Sequence, residues 1–210
     1  MALLGQAALA MWWDMAPQMR DEFQDWHTHE HFRERLSVPG FLRASRWAAA
    51  GGGDGFFVMY EVRGFEVLVS REYLAHLNSP TPWSTKLMPH HRNMVRSQCA
   101  VEYSEGGGVA GHAVTVRLAA DDGIAGKLKG LALRPGVSGA HLLHAQRPAI
   151  ASTTEQKIRG NSDQVADWIV VLCGYDGKVL LDIASRELAT DDAVIAQHVL
   201  ALSMTASEVT

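Results

Sequence analysis

The chain has 210 residues, of which 47% are hydrophobic and 20% charged, a composition that supports a full globular core. Its formal net charge is -4, and no cluster of Lys and Arg suggests a nucleic-acid partner. Residues 2–13 are apolar but too short to span a membrane, and they lack the basic residues of a signal peptide. We therefore expect a cytoplasmic protein without membrane contact, in which Cys99 and Cys173 are buried free thiols.

The first half of the chain predicts one strand, one long helix, a hairpin, a second helix and a closing strand. Pro17 suits the first turn of a helix and Pro39-Gly40 suits its end. Ser70 is a candidate cap for the main part of the second helix. The predicted strands lie at 5–15, 41–49, 56–62 and 94–103, and the predicted helices at 17–39 and 67–77, with a short helical piece continuing to Met88. This order, βαββαβ, is that of a ferredoxin-like unit.

The second half repeats this order after a glycine-rich linker at 104–108. Its predicted strands lie at 112–118, 137–146, 168–174 and 194–204, and its predicted helices at 121–131, capped by Asp121 or Asp122, and at 178–188, while 147–167 reads as a polar loop. Pro135-Gly136 corresponds to Pro39-Gly40, and we also match Tyr60 with Cys173 and Gln98 with Gln197. We predict a tandem duplication with repeats at 1–104 and 109–210.

A single βαββαβ unit leaves one face of its sheet apolar and uncovered. Two units in one chain can cover each other by packing sheet against sheet. The predicted fold is therefore an α+β protein in which two tandem ferredoxin-like repeats form an intrachain dimeric α+β barrel. Further pairing of the two-repeat chain as a homodimer stays open.

The motifs of the first half carry a resemblance to a known superfamily. They are Asp25-Trp26-His27, Glu30-His31, Glu34-Arg35, Pro39-Gly40-Phe41, Arg46-Trp47, Tyr60-Glu61 and the run Leu77-Asn78-Ser79-Pro80-Thr81-Pro82-Trp83. Together they resemble the dimeric α+β barrel superfamily, and within it are most similar to EthD-like and related bacterial proteins, most clearly over residues 8–103. The resemblance implies a ligand cavity between sheet and helices or at the barrel mouth. Its members catalyse several reactions, with or without haem, so it implies no single activity.

The first helix contains the candidate catalytic residues. His27 and His31 are four residues apart and can face one cavity, where neutral imidazole can act as a base or acid. Glu30 could orient one of them or act beside it, whereas His29 points away by about 160–200°. The alternative is that the charged residues form a solvated face and the histidines complete the core. Because the second repeat has no equivalent cluster, we expect the first repeat alone to form the site.

Aromatic and basic residues could bind the substrate. Trp26, Tyr60 and Trp83 could line an aromatic pocket, although such positions also suit a plain core. Arg46 could bind a carboxylate, or it could be a charge at the rim of the pocket.

A mixed metal site could use His27, His31 and Glu30 with His90 or His91, but nothing in the sequence fixes the third ligand. We therefore predict no metal and no cofactor, and we expect His90 and His91 to lie at the surface. The second-half histidines are expected to be structural; they are His112, His141, His144 and His198.

Three functions are compatible with this sequence. The first is a cofactor-independent enzyme in which His31, helped by His27 or Glu30, transfers a proton on a small aromatic or carbonyl compound during cyclisation, isomerisation or decarboxylation. The second is a non-catalytic module that binds small ligands or serves a stress response. The third is a metal- or haem-dependent oxidoreductase.

Overall fold

The protein is described by a computed structural model that covers residues 3–107, 109–121, 123–160 and 163–209. Asp122 and residues 108 and 161–162, which belong to the predicted cap, linker and loop, lie outside the described residues. Eight strands run in the order β1 Ala7–Met15, β2 Phe41–Ala49, β3 Gly55–Val62, β4 His91–Gly106, β5 His112–Leu118, β6 Val137–Gln146, β7 Trp168–Gly174 and β8 Val194–Thr205.

The strands form one closed barrel in the order β1-β3-β2-β8-β5-β7-β6-β4, with antiparallel pairing throughout. Each repeat supplies four adjacent strands, and the two sheets join at β2–β8 and at β4–β6. Closure leaves no free sheet edge between the repeats. The predicted fold class, two tandem ferredoxin-like repeats in an intrachain α+β barrel, is confirmed. The boundary between residues 104 and 109 remains a prediction.

The long first helix is composite. It comprises a 3-10 turn at Pro17–Met19, α1 at Arg20–Trp26, a π-helical turn at His27–His31 and α2 at Phe32–Leu36. The amide of Phe32 donates to the carbonyl of His27, five residues back. This wider turn replaces the regular helix that the sequence predicts and shifts the positions of the side chains that follow.

The remaining helices are short. A 3-10 turn at Phe65–Val69 precedes α3 at Arg71–Asn78, whose predicted cap is confirmed because the Ser70 hydroxyl accepts from the Tyr73 amide at 3.2 Å. The others are α4 Pro82–Leu87 and a 3-10 turn at Met88–His90; then α5 Ile124–Leu128, a 3-10 turn at Leu131–Leu133, α6 Thr154–Arg159, α7 Gly177–Ile183, a π-helical turn at Ala184–Leu188 and a final 3-10 turn at Ala206–Glu208.

Two predictions for the second half are wrong in detail. The helix predicted at 121–131 is reduced to α5: Asp121 caps it by accepting from the Ile124 amide at 2.7 Å, but Gly130 adopts a positive φ of 76° and interrupts it. The loop predicted at 147–167 contains α6, which begins with a capping box between Thr153 and Gln156.

Two of the predicted internal parallels agree with the backbone conformation and the strand registers. Gly40 and Gly136 both adopt positive φ, 99° and 90°, so the two Pro-Gly stops are conformationally alike. Gln98 pairs with Leu9 as Gln197 pairs with Val114, at matching positions of β4 and β8.

The match of Tyr60 with Cys173 is wrong by one residue. Glu61 pairs with Arg43 and Cys173 with the equivalent Gly139, so Glu61 is the counterpart of Cys173, and Leu172 is the counterpart of Tyr60. The error moves a side chain to the other face of the sheet, because successive strand residues alternate.

Three hydrophobic layers result. The lumen core fills the barrel and includes Trp47, Phe57 and Cys99. The first helix-facing core lies between the first sheet and its helices, and the second helix-facing core lies in the same place in the second repeat. Cys99 and Cys173 are buried free thiols, as predicted. No helix among the described residues combines the length and apolar character needed to cross a membrane.

Candidate active site

The composite first helix directs two histidines toward the sheet. His27 and His31 are 2% and 7% exposed, with parallel rings whose centroids are 5.4 Å apart, whereas His29 is exposed. The π-helical turn contains all three residues. Such turns occur often at functional sites because they realign side chains. The predicted orientation of these three histidines is therefore correct, although the helix is not regular.

Both histidines line a cavity of about 40 Å³ between the first helix and the first sheet. Tyr60 of β3 and Trp26 of α1 also line it, as predicted. The other charged or titratable side chains in its wall are Arg35, Tyr73, His91, Arg96, Glu155 and Arg159.

His91 is a correction, because it was expected at the surface and is 6% exposed. Its Nδ1 lies 3.2 Å from the carbonyl oxygens of Leu87 and Met88 and can donate to them, which makes Nε2 an acceptor. Burial, helped by the charge of Arg159, lowers the pKa of His91 to about 3. His90 is only partly buried.

The cavity therefore has three histidines in its wall, which raises the question of a metal ion. Among the described residues, no group of three or more His, Cys, Asp or Glu side chains has an arrangement that could hold one.

The cavity histidines are held neutral. Burial lowers the pKa of His31, as does the charge of Arg35, while the Glu34 carboxylate partly opposes this effect. Burial lowers the pKa of His27 well below its ordinary value, and His31 and Arg46 add to the effect. A neutral imidazole has a free nitrogen lone pair at neutral pH, so both residues can accept a proton.

Four buried polar atoms belong to residues that line the cavity and have no hydrogen-bond partner among the described residues. They are Trp13 Nε1, His27 Nδ1, His31 Nδ1 and Tyr60 Oη. Buried polar groups are normally paired, so a cluster of orphaned atoms around one cavity indicates a place for a polar guest. Burial also raises the pKa of Tyr60 well above 10, which keeps its hydroxyl protonated and able to donate.

The second repeat completes the cavity wall, so the prediction that the first repeat alone forms the site is wrong. The segment between β6 and β7, residues 147–160 and 163–167, lies against the first repeat; we call it the strap. Its Glu155 forms a buried ion pair with Arg35, and the Thr154 amide donates to Asn78 Oδ1 at 3.0 Å. The Thr153-x-x-Gln156 capping signal was the available sign of a helix here.

Three predicted site residues lie elsewhere. Glu30 is not in the cavity wall: its Oε1 accepts from Trp26 Nε1 at 3.1 Å and from the Thr81 hydroxyl at 2.5 Å. Arg46 donates to the Gln24 carbonyl at 3.2 Å and lies over the Phe23 ring, so it holds α1 against β2.

Trp83 is the third predicted site residue that lies elsewhere. It is half-buried, and its indole donates to Glu22 Oε1 at 3.1 Å. Arg46 is more deeply buried, which lowers its pKa to about 10. Neither residue is part of the cavity wall.

Two further spaces are lined by residues of the strap. A middle chamber of about 130 Å³ shares Leu77, Arg96, Glu155 and Arg159 with the cavity. An open groove of about 700 Å³ follows, and Arg96 lines all three spaces. Sequence reasoning missed Arg96, which lies on β4 with no accompanying motif.

Comparison with known proteins agrees with this architecture. No family model and no curated protein sequence matches the chain significantly. Among solved structures, an anthrone oxidase-like protein superposes with a TM-score of 0.60 at 12% identity, covering 100% of this chain and 98% of the other. The chain has the dimeric α+β barrel fold.

Two further neighbours are candidate monooxygenases. The protein from Fusobacterium nucleatum has a TM-score of 0.60 at 8% identity, covering 97% of this chain and 96% of its own. The protein from Lactobacillus acidophilus has a TM-score of 0.56 at 10% identity, covering 95% and 96%. At such identities the likeness establishes the fold alone, and the EthD-like kinship remains a prediction.

Proposed function

We propose that the chain is a small-molecule enzyme with its active site in the histidine cavity of the first repeat, where His31 removes a proton from an aromatic or carbonyl substrate. The observation that carries this proposal is the convergence of buried neutral imidazoles and an unpartnered tyrosine hydroxyl on one cavity. A base, an acid and a shielded space are the components that proton transfer at carbon requires.

His31 is better placed than His27 to act as the base. Its Nδ1 lies 3.6 Å from Glu34 Oε2, so a carboxylate is close enough to stabilise the imidazolium formed when His31 takes a proton. Burial disfavours the charge of Glu34, but His31, Arg35 and His76 outweigh it and lower the pKa of Glu34 to about 2. His27 packs against Phe23 and Phe32, with ring centroids 4.9 and 4.3 Å away.

The same cavity can stabilise the anion that deprotonation leaves on the substrate. Tyr60 can donate its unpartnered hydroxyl to an enolate or phenolate oxygen. Arg35, Arg96 and Arg159 all line the cavity. Arg35 is paired with Glu34 and Glu155, and Arg159 with Asp163, whereas Arg96 has no carboxylate within ion-pair distance among the described residues. Donors and positive charge fixed in advance favour a developing oxyanion.

The name of one structural neighbour suggests a substrate class for this chemistry. Anthrones are tricyclic phenol-like ketones with an acidic methylene, and loss of that proton gives a stabilised carbanion. If molecular oxygen is the oxidant, one anthrone and one O2 give one anthraquinone and one water. For this chain the proposal is the first step, proton removal by His31. Cyclisation and isomerisation can begin with this step, whereas decarboxylation forms its carbanion by loss of CO2 and then takes up a proton.

Deuterium exchange tests that step without requiring a complete turnover. Anthrone is incubated with the protein in deuterated buffer under anaerobic conditions, and loss of the methylene signal is followed by NMR. We expect His31→Ala to slow protein-dependent exchange by about 10²-fold or more, as for loss of a general base. His29→Ala, an exposed change in the same π-helical turn, is the matched control.

Two results would contradict the assignment. One is full exchange activity in folded His31→Ala protein; the other is no catalysed exchange by the wild type on anthrone or on a panel of phenols and β-dicarbonyl compounds. The melting temperature of each variant, measured in parallel, separates loss of the base from loss of the fold.

The small size of the inner cavity favours a second candidate, a non-catalytic binding module. About 40 Å³ holds a single water-sized guest, far below the several hundred Å³ of a drug-sized ligand site. For this candidate, ligands bind and raise the melting temperature while no exchange occurs. No observation among the described residues favours the metal- or haem-dependent alternative.

A further inference from the structure

The outer groove has an unbalanced positive charge. Arg96 and Lys157 both line it, one from β4 and the other from α6. Neither has a carboxylate within ion-pair distance in the described part of the chain. By contrast, Arg147 lines the same groove but its charge is paired with Asp167 at 2.5 Å.

Arg96 retains hydrogen-bonding capacity. Its Nη2 donates to the Tyr73 hydroxyl at 3.1 Å, and a guanidinium has five N–H donors in a planar fork. The bond to Tyr73 fixes the side chain where the inner cavity, the middle chamber and the groove meet. A fixed fork is suited to a planar carboxylate, which it can bind through two parallel hydrogen bonds.

The space between the groove and the histidines has a mixed wall. Leu74, Leu77 and Ile150 are apolar members of the wall of the middle chamber, and Arg96, Gln98, Glu155, Gln156 and Arg159 are polar members. From the surface inward, the three spaces therefore present cationic side chains in the groove, a partly apolar wall in the middle chamber and the imidazoles of the inner cavity. A ligand that fits this sequence carries an anionic group at one end and an ionisable aromatic or enolic group at the other.

We propose that the substrate is an aromatic carboxylate whose carboxylate is held by Arg96 and Lys157 in the groove while its reactive group reaches the histidine cavity. The inference rests on the proposed function for the position of the reactive group, and both repeats contribute to the carboxylate site. Asp163 also lines the groove, but its carboxylate is paired with Arg159 at 2.7 Å.

Binding of a rigid probe tests the proposal. The probe is 6-hydroxy-2-naphthoate, whose hydroxyl and carboxylate lie at opposite ends, and its methyl ester is the uncharged counterpart. Binding is measured by the anisotropy of the probe's own fluorescence at low salt. We expect the wild type to bind the carboxylate roughly tenfold more tightly than the ester, as for one charge-assisted contact.

Variants assign the preference to particular residues. Lys157→Gln, at an exposed position, is expected to lose most of the preference for the carboxylate over the ester. Arg96→Gln is expected to lose this preference completely. Arg147→Gln is the matched control, because the replaced charge lies in the same groove but is already neutralised, and it should keep the preference. Added salt should weaken the preference, since charges at an exposed groove are screened.

The outcomes separate this proposal from the function of His31. His31→Ala should retain the carboxylate preference, since the groove lies outside the histidine cavity. Equal binding of acid and ester by the wild type, equal losses in Lys157→Gln and Arg147→Gln, or no saturable binding of either compound would each overturn the carboxylate site. A carboxylate preference without any exchange activity would support it while contradicting the proposed function.

Discussion

The two helix-facing cores occupy equivalent places in the two repeats but differ in chemistry. The first contains rings and polar atoms: Phe23, Trp26, Phe32 and Tyr60 are buried there beside the histidines. The second is formed by aliphatic side chains, among them Val114, Ile124, Leu142, Leu172, Leu180 and Leu188, all 0% exposed. One layer thus carries orphaned polar groups around a cavity, while the buried members of the other are aliphatic.

This difference indicates how a duplicated chain divides its tasks. A layer that must hold a polar cavity includes groups whose burial is unfavourable, and a site of this kind needs a stable scaffold. The second helix-facing core can supply that stability because its described buried members are aliphatic. The second repeat also contributes the strap to the cavity wall of the first repeat. The tasks are therefore divided between the two helix-facing cores and not between whole repeats.

The largest expected effect on stability comes from the second helix-facing core. Leu172→Ala should lower the free energy of unfolding by about 2–5 kcal/mol, because it leaves a cavity in a packed aliphatic layer. Urea unfolding measures the loss. Deuterium exchange per folded molecule should stay near the wild-type rate, and a specific loss of exchange in folded Leu172→Ala protein would show that this layer shapes the site.

Acid should affect the first helix-facing core more than the second, because the buried histidines that the structure describes between a sheet and its helices, His27, His31 and His91, all lie in the first. The folded-state pKa of His91 is lowered to about 3. Below about pH 6.5 the imidazole is therefore protonated in the unfolded chain but still neutral in the folded chain. The free energy of unfolding therefore falls as the pH drops through this range. For His91 alone, the loss between pH 7 and pH 5 is about 2 kcal/mol.

His91→Gln should remove that loss. Urea unfolding at pH 7 and pH 5 is the measurement. Both pH values lie well above the pKa of Glu34, which is about 2, so folded Glu34 stays ionised throughout. Tyr60→Phe is the control, since it changes the same cavity without removing a histidine. An unchanged pH dependence in His91→Gln would mean that this imidazole is not held neutral by burial.

Tyr60 is the counterpart of Leu172 in the first repeat, and we expect its substitution to affect exchange activity more than stability. Tyr60→Phe removes a buried hydroxyl that has no partner among the described residues, so stability should stay the same or rise by about 1 kcal/mol. Exchange activity should fall if the hydroxyl stabilises the substrate anion. Tyr73→Phe is the comparison: its hydroxyl accepts from Arg96, and removing it should lower stability.

The sequence predicted the strands better than the site. Alternating and apolar runs bounded by glycine and proline identify β2, β5, β6 and β7 to the residue, since strand patterning is local. The π-helical turn at His27–His31 has no local signature, and the place of Glu155 beside Arg35 depends on a contact between residues 120 positions apart. The side on which Glu30 lies follows from that turn, so spacing alone assigned it wrongly.

Substitutions at Glu30 and at its partner Thr81 have the smallest expected effect on stability, and they test whether the Glu30 carboxylate belongs to the site. Its carboxylate joins the first helix to the turn before α4, where the Thr81 hydroxyl also accepts from the Ser84 amide at 3.0 Å. Thr81→Ala should lower the free energy of unfolding by about 1 kcal/mol, the usual effect of losing a cap. Glu30→Gln should have a smaller effect, because an amide can still accept from Trp26.

Exchange activity should remain within a few-fold of wild type in both variants, because Glu30 reaches the cavity only through the ring of Trp26. If Glu30→Gln abolished exchange while the protein stayed folded, the carboxylate would take part in the chemistry, as the spacing of the sequence suggested. If Thr81→Ala had the same effect, the turn would instead position Trp26 against His31, whose ring centroids are 4.3 Å apart. The pair of variants thus distinguishes a carboxylate that reacts from one that holds the wall of the cavity in place.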